Sequence, residues 1–440
     1  MSSNQLTDIA LRSLFAKATY AYDERYLVEV GIRRDGSSIF GPGYQWGNFP
    51  SIALGWNIDK EPFFNIQEVT GWKIRVSYGS LGNNNVNPYQ YQTTINGNGT
   101  ENNIGNPDIH WEKTNMVNIG TDLSLKSGFE ATIDWFNKRT NDVLFGVPPL
   151  LTGGIGSGTD GGNSGPLINA FSARVDGLEA NLKYHKKLSK DFSFNVGLGY
   201  SRETSRIMKL LSGNAPIING NTILYVGGPL YANYGYRTDG LLQQADINNP
   251  AVAKMPGEQA GDIKYVDVNH DGTITTKDMV PLGTTQPTDI FFGNLGFNYK
   301  GFDFDGLITG QAGAAIFYTG QLANPFNGGE ETTPQKSQTD TWTPQNTNAS
   351  LPRLTDGGNL AFSDFYKHSG TWERVRYLQV GYTFPQALSN KIRLKSLRIY
   401  FNAQNPFTIS SVKLIDPESQ GSLYTVPIMK AFTCGLNVKF

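Results

Sequence analysis

Hydrophobic and polar positions alternate along much of this chain, most regularly in Lys430–Phe440. There Phe432, Cys434, Leu436, Val438 and Phe440 fall on one side of an extended chain, and Thr433, Gly435, Asn437 and Lys439 on the other. A strict period of two predicts a strand with one apolar and one polar face. The pattern recurs at 26–33 (Tyr26, Val28, Val30, Ile32), at 192–201 (Phe192, Phe194, Val196, Leu198, Tyr200) and at 397–407 (Leu397, Ile399, Phe401, Ala403). Weaker versions lie at 12–22, 47–58, 72–81, 113–125, 129–141, 173–186, 289–300, 302–314 and 373–384. Together they predict about thirteen strands, each near the ~10 residues that a tilted membrane-spanning strand needs.

The connections alternate in length. Short polar turns are expected at Asp23-Glu24-Arg25, Lys126-Ser127-Gly128, Lys186 to Asp191 and Lys300-Gly301. Long irregular segments are expected near 34–46, 84–112, 142–170, 205–288, 315–371 and 408–429. The 57–71 connection differs, with Glu61-Pro62 followed by a short helix over Phe63 to Val69. Long structureless loops argue against a compact soluble domain. Short periplasmic turns alternating with long external loops are the plan of an outer-membrane barrel. The expected fold is therefore an all-β, transmembrane antiparallel β-barrel occupying 1–440, with 205–288 its longest extracellular loop. The odd strand count conflicts with the even number usual in such barrels, so further N-terminal strands are expected outside this sequence. Aromatics cluster at strand ends, as Tyr20, Tyr22 and Tyr26 and as Trp46, Phe49 and Trp56. Either an interfacial girdle or ordinary core packing produces that, and the loop asymmetry favours the girdle.

Composition narrows the class. Glycine is abundant at 50 residues, aromatics make up 12%, and charged residues only 17%, below the ~25% of ordinary globular chains. A net charge of −1 gives no reason to expect nucleic acid or an electrostatically held membrane surface. No run reaches the ~18 apolar residues of a spanning helix. The single cysteine, Cys434, falls on the apolar side and reads as a small hydrophobe. Met-Ser-Ser-Asn-Gln-Leu-Thr-Asp at the start has neither a basic nor an apolar signal region, which is expected of a non-exported chain or of a piece of a longer one.

Few motifs carry chemistry. Asp267, Asn269, Asp271, Thr273, Thr275 and Asp278 occupy positions 1, 3, 5, 7, 9 and 12 of a calcium-type loop at 267–278, with Gly272 at the sharp turn. That spacing places oxygen ligands around Ca²⁺, although position 12 is Asp where Glu is preferred. An ion-free Asx turn uses the same residues. The ion would be structural, stiffening the 205–288 loop. Gly156, Gly158 and Gly161 form a Gly-x-Gly-x-x-Gly match with no preceding strand or following helix, so it reads as a loop tip. His110, His185, His270 and His368 are too dispersed for a zinc site, and no nucleophile elbow or phosphate loop is present. The chain is not expected to be an enzyme. Tyr89, Tyr91, Tyr225, Tyr231, Tyr234 and Tyr236 suit stacking on sugar rings, contact with a partner, or packing of the loops on themselves.

Several blocks resemble the SusC/RagA family of TonB-dependent outer-membrane transporters. They are Tyr26-Leu-Val-Glu-Val-Gly-Ile-Arg-Arg-Asp-Gly-Ser-Ser-Ile-Phe-Gly, Asn48-Phe-Pro-Ser-Ile-Ala-Leu-Gly-Trp, Glu61-Pro-Phe-Phe and Trp72-Lys-Ile-Arg-Val-Ser-Tyr-Gly-Ser-Leu-Gly-Asn. Gly261-Asp-Ile-Lys-Tyr-Val-Asp-Val-Asn-His-Asp-Gly-Thr-Ile, Leu397-Arg-Ile-Tyr-Phe-Asn-Ala-Gln-Asn-Pro-Phe and the terminal Phe440 complete the set. The resemblance implies the C-terminal barrel portion of a 22-stranded barrel, without its plug or TonB-contacting segment. It implies a role in importing oligosaccharides or peptides, a SusD-like surface lipoprotein as lid, and energy from TonB–ExbB–ExbD. Localisation would be the outer membrane. Glu29, Arg33, Asn195, Asn402 and Gln404 are expected to face the lumen, and the 205–288 and 315–371 loops to meet substrate and lid. A secreted, calcium-stabilised adhesin or carbohydrate-binding protein is the alternative; it would pack its apolar faces together and stay soluble without detergent.

Overall fold

The computed structural model describes residues 8–95, 101–146, 166–211, 213–323, 336–354, 361–419, 426 and 428–440. The glycine motif at Gly156, Gly158 and Gly161 lies outside these residues, as do parts of the 315–371 and 408–429 loops. All thirteen segments predicted from alternation lie on strands. Among the described residues no helix is long and apolar enough to cross a membrane. The chain divides into two compact units.

The first unit contains β1 (Leu11–Tyr22), β2 (Tyr26–Ser37), β3 (Trp46–Asn57), β4 (Val69–Asn83), β5 (Glu112–Leu125), β6 (Phe129–Gly146), β7 (Leu167–Lys187) and β8 (Phe192–Leu210). Each pairs antiparallel with the next. The turns are tight because their backbones take left-handed conformations: Asp23 and Glu24 have φ of 51° and 53°, and Gly128 has 91°. Two consecutive positive φ values match the right-handed twist of the strands they join. Strands lengthen well beyond the spanning requirement, to 21 residues in β7. Above the sheet, Ile39, Phe40, Val86 and Ile109 bury one another, with Trp111 against them.

The second unit contains β10 (Phe302–Ala312), β11 (Trp372–Thr383), β12 (Ser396–Gln404) and β13 (Ala431–Lys439), paired antiparallel in that order. β9 (Asp289–Tyr299) precedes β10, and its middle, Gly293–Phe297, belongs to the first unit.

The long loops of the second unit are not structureless, which corrects the expectation of irregular segments. Thr222–Leu224, Ala232–Tyr236 and Met279–Thr284 pair as a small sheet; Thr238–Leu241 pairs with Ile263–Tyr265, and Ala315–Phe317 with Lys367–Ser369. Around them Tyr236, Ile263, Tyr265, Ile274, Ile316, Tyr318, Leu322, Tyr366 and Val412 form a buried core. Such strands run for 3–6 residues, too few for a clear periodic signal.

One further expectation fails locally. The helix proposed for Phe63–Val69 is absent, and the turn is a 3-10 turn at Ile58–Lys60. Pro62 forces its predecessor out of the helical region, and Glu61 accordingly has φ −75° and ψ 142°.

Candidate functional site

Register decides which side chains share a face, since directly opposed residues in an antiparallel pair point the same way. Glu29 stands opposite Thr19 and Ala53, and the row continues through Ser77 to Asn118. Arg33, four positions on, stands on the same face of β2. Asn195 is opposite His185. Asn402 is opposite Gln379 and Thr433, and Gln404 opposite Tyr377. The five predicted lumen residues therefore all lie on the polar face of their strands. Glu29 bonds Lys17 at 2.8 Å and Arg33 bonds Asp35 at 2.7 Å.

Stronger charge networks occupy the same face, and sequence reasoning did not single them out. Arg75 donates to both oxygens of Asp122 (2.7 and 3.1 Å) and both of Asp134 (3.0 and 3.1 Å). Thr132 adds a bond to Asp122 at 3.1 Å. In the second unit Arg398 forks onto Asp303 at 3.0 and 2.5 Å, and the Tyr377 hydroxyl bonds Asp305. Forked guanidinium–carboxylate pairs are geometrically fixed, so these charges hold a defined arrangement along the wall. A concavity of about 490 Å³ on the first unit is lined by Thr19, Glu29, Lys73, Arg75, Ser77 and Asn118 among others. Their one sequence signal was parity, a charged residue at a polar position of an alternating strand.

The other face is apolar. Val30, Ile52, Leu54, Val76, Ile119, Ile133, Trp135, Leu178 and Leu198 are all exposed there, as are Phe401, Phe432 and Leu436 in the second unit. Cys434 sits among the latter, exposed and unpaired by disulfide. Tyr22, Tyr26 and Trp56 form one cross-strand row beside the Asp23–Arg25 turn. Buried Glu61 ties that row down, accepting from Tyr26 Oη at 2.5 Å and Trp56 Nε1 at 2.9 Å, with Arg25 at 3.4 Å. These bonds, Tyr26's first, outweigh desolvation and hold the Glu61 carboxyl below its usual range. Phe49 does not belong to the girdle. It is buried on the polar face, its ring over Gly47 and Gly82 and against Trp111 at 5.5 Å.

The second unit's loops are cross-braced. Arg353 forks onto buried Asp262 at 2.6 and 3.3 Å, and Thr238 bonds Asp364 at 2.7 Å. Arg374, only 3% exposed, binds Asp416 at 2.8 Å and also Glu418, which Arg376 holds at 2.9 Å. Tyr236 is buried against Tyr265 at 5.1 Å, so it packs the loop core and does not present a binding surface. Tyr91 packs against the Phe40 cluster. Tyr89 and Tyr231 are exposed, both with positive φ. Burial raises Tyr265 well above the usual tyrosine range and Tyr366 to about 12. Burial also pushes Glu258 up to about 7, against the amide bond it accepts from Met255.

The calcium-type loop is a self-bonded turn. Asp267 accepts the amides of Asp271 (3.3 Å) and Gly272 (2.8 Å); Asn269 Oδ1 accepts Asp271 N at 2.9 Å; Asp271 Oδ1 accepts Thr273 N and Oγ1 at 3.0 and 2.8 Å. Asp278 is fully buried and accepts from Val268, Asn269 and Thr275 amides. Burial would raise its carboxyl, but those amides hold it below the usual range. His270 and Gly272 take φ of 60° and 84°. Among the described residues no three acidic, histidine or cysteine side chains gather as a ready metal cage.

Comparison with known proteins agrees with this architecture. Residues 2–414 match the family described as TonB dependent receptor-like, beta-barrel. TonB-dependent receptor P26 of Formosa agariphila is 29% identical over 98% of the chain, and TonB-dependent receptor P3 of that organism 27% over all of it. TonB-dependent receptor SusC of Bacteroides thetaiotaomicron is 27% identical over 98% of the chain. The chain spans about half the length of these relatives, 46% of P26 and P3 and 44% of SusC. Among solved structures, that titled "Structure of the RagAB peptide transporter" superposes with a TM-score of 0.80 at 21% identity, covering all of this chain and 49% of that one. An all-β wall with an apolar and a polar face, matched across nearly its whole length, makes this chain a member of the TonB dependent receptor-like β-barrel family.

Proposed function

We propose that this chain forms the wall and external vestibule of a SusC/RagA-type transporter in the outer membrane, importing oligosaccharides or peptides. A SusD-like surface lipoprotein would cap the loops, and TonB–ExbB–ExbD would energise the cycle. The observation that carries this reading is the division of faces, with Phe401, Cys434 and Leu436 on one side and Asn402, Thr433 and Asn437 on the other. In a membrane that division gives a lipid-facing surface and a wet path. The chain's family and the peptide named in the RagAB title support the substrate class. Within a Cys434→Ala background, Asn402→Cys should react in outer-membrane vesicles with a charged thiol reagent, and Phe401→Cys only with a lipid-soluble one. The reverse pattern would sink the assignment of faces. Uptake of labelled oligosaccharide against labelled peptide by cells carrying or lacking the gene would then choose the substrate.

We also propose that Ca²⁺ binds at Asp267, Asn269, Asp271, Thr273, Thr275 and Asp278 and stiffens the 205–288 loop. Supporting it are the ligand spacing and the left-handed Gly272 at the turn. Binding would require Asp278 to exchange backbone amides for the ion. Calorimetry with Ca²⁺ should show saturable heat that Asp271→Ala abolishes; flat traces from both would end the proposal.

A further inference from the structure

Following the apolar face along three neighbouring strands brings three arginines into one row. Arg139 on β6 is directly opposite Arg174 on β7, which is directly opposite Arg206 on β8. They share their face with Ile133, Trp135, Leu178 and Leu198, all exposed apolar residues. Like charges directly opposite on adjacent strands repel. Asp176 offsets part of this, accepting from Arg174 Nη2 at 2.7 Å while also holding Asn137 at 2.6 Å. Arg174 Nε is buried without a hydrogen-bond partner. Arg139 and Arg206 are exposed and make no hydrogen bond or salt bridge among the described residues.

The height of the row identifies its counter-ion. Ten positions separate Arg174 from Tyr184, and likewise Arg139 from Phe129, which is Tyr184's cross-strand partner. At about 3.3 Å per residue and a ~40° tilt, that is roughly 25 Å, the height of a barrel's apolar band. Tyr184 and Phe129 lie near the short turns, so the arginines stand at headgroup level on the side of the long loops. We propose that the Arg139–Arg174–Arg206 row binds the phosphate of an outer-leaflet lipid, whose acyl chains lie along Leu178, Leu182 and Leu198. Guanidinium forks suit phosphate oxygens, and a shared anion relieves the repulsion between the three cations. This inference rests on the outer-membrane reading above.

The test uses the full chain in detergent micelles with lipid A, phosphorylated or enzymatically dephosphorylated, and native mass spectrometry of retained lipid. The phosphorylated form should be retained roughly tenfold better, and an R139Q/R206Q variant should lose that preference while retaining the dephosphorylated form equally. Equal retention of both forms by the unaltered chain, a comparison that needs no variant, would overturn the proposal. Displacement by an equal concentration of inorganic phosphate would overturn the lipid as its source. A chain that stays soluble without detergent would overturn the membrane reading itself, whereas one that enters micelles and ignores the phosphate overturns only this inference.

Discussion

The Tyr400 ring lies over Gly435 on the neighbouring strand, where a Cβ would meet the ring's Cζ at 2.3 Å. The same relation recurs in the first unit, where the Phe136 ring covers Gly177 and a Cβ would meet it at 2.1 Å. Aromatic rings on the polar face thus seat on bare backbone at these two positions, which explains Gly177 and Gly435 in the middle of their strands.

Gly435→Ala should therefore destabilise the chain by about 1–3 kcal/mol, because the ring must leave its rotamer to make room. The loss should shrink in a Tyr400→Ala background. Denaturant midpoints of the refolded chain in detergent would show this; an unchanged midpoint for Gly435→Ala would refute the close packing.

Arg75 bridges two carboxylates while itself 31% exposed. Its coupling to Asp134 in a double-mutant cycle should be roughly 0.5–2 kcal/mol, and should weaken as salt rises. Coupling independent of ionic strength would mean the pair is more shielded from water than its exposure indicates.

Arg374 is buried between Asp416 and Glu418 with Trp372 5.6 Å beneath its guanidinium. Arg374→Ala leaves the partly buried Asp416 carboxylate without its cation, with Glu418 still held by Arg376, and should cost about 2–4 kcal/mol locally. Arg374→Lys should recover only part, since an ammonium cannot reproduce the fork. Limited proteolysis within 411–419 should accelerate in the order wild type, Lys, Ala.

Glu258 titrates near 7 because burial disfavours its charged form. A carboxyl raised above its unfolded value of 4.5 stabilises the fold below that value and loses its contribution as pH rises through about 7. Amides bonded around it, such as Gly261 N to Leu242 O, should exchange roughly tenfold faster at pH 8 than at pH 5 after correction for intrinsic rates. Glu258→Gln should flatten that dependence; a variant with the wild-type slope would assign it to another group.

Strand existence was legible because a period of two is a local property, readable from Phe432 to Phe440 without any partner. The same parity placed Glu29, Arg33, Asn195, Asn402 and Gln404 each on the polar face of its own strand. It failed for Phe49, whose hydrophobicity suggested a girdle; two glycines on its own and the next strand, Gly47 and Gly82, made room for the ring on the polar side.

By itself, then, the sequence determined that the chain is a series of two-faced strands joined by alternating short and long connections, and which side of each strand is polar. Only the tertiary structure decided the cross-strand company each residue keeps. Arg75 meets Asp122 and Asp134 across 47 and 59 residues of sequence, and Arg374 meets Asp416 across 42. The row of Arg139, Arg174 and Arg206 likewise exists only once register is set. Register depends on pairing between distant segments and on bulges such as that between Ile207 and Lys209, and no local pattern encodes it.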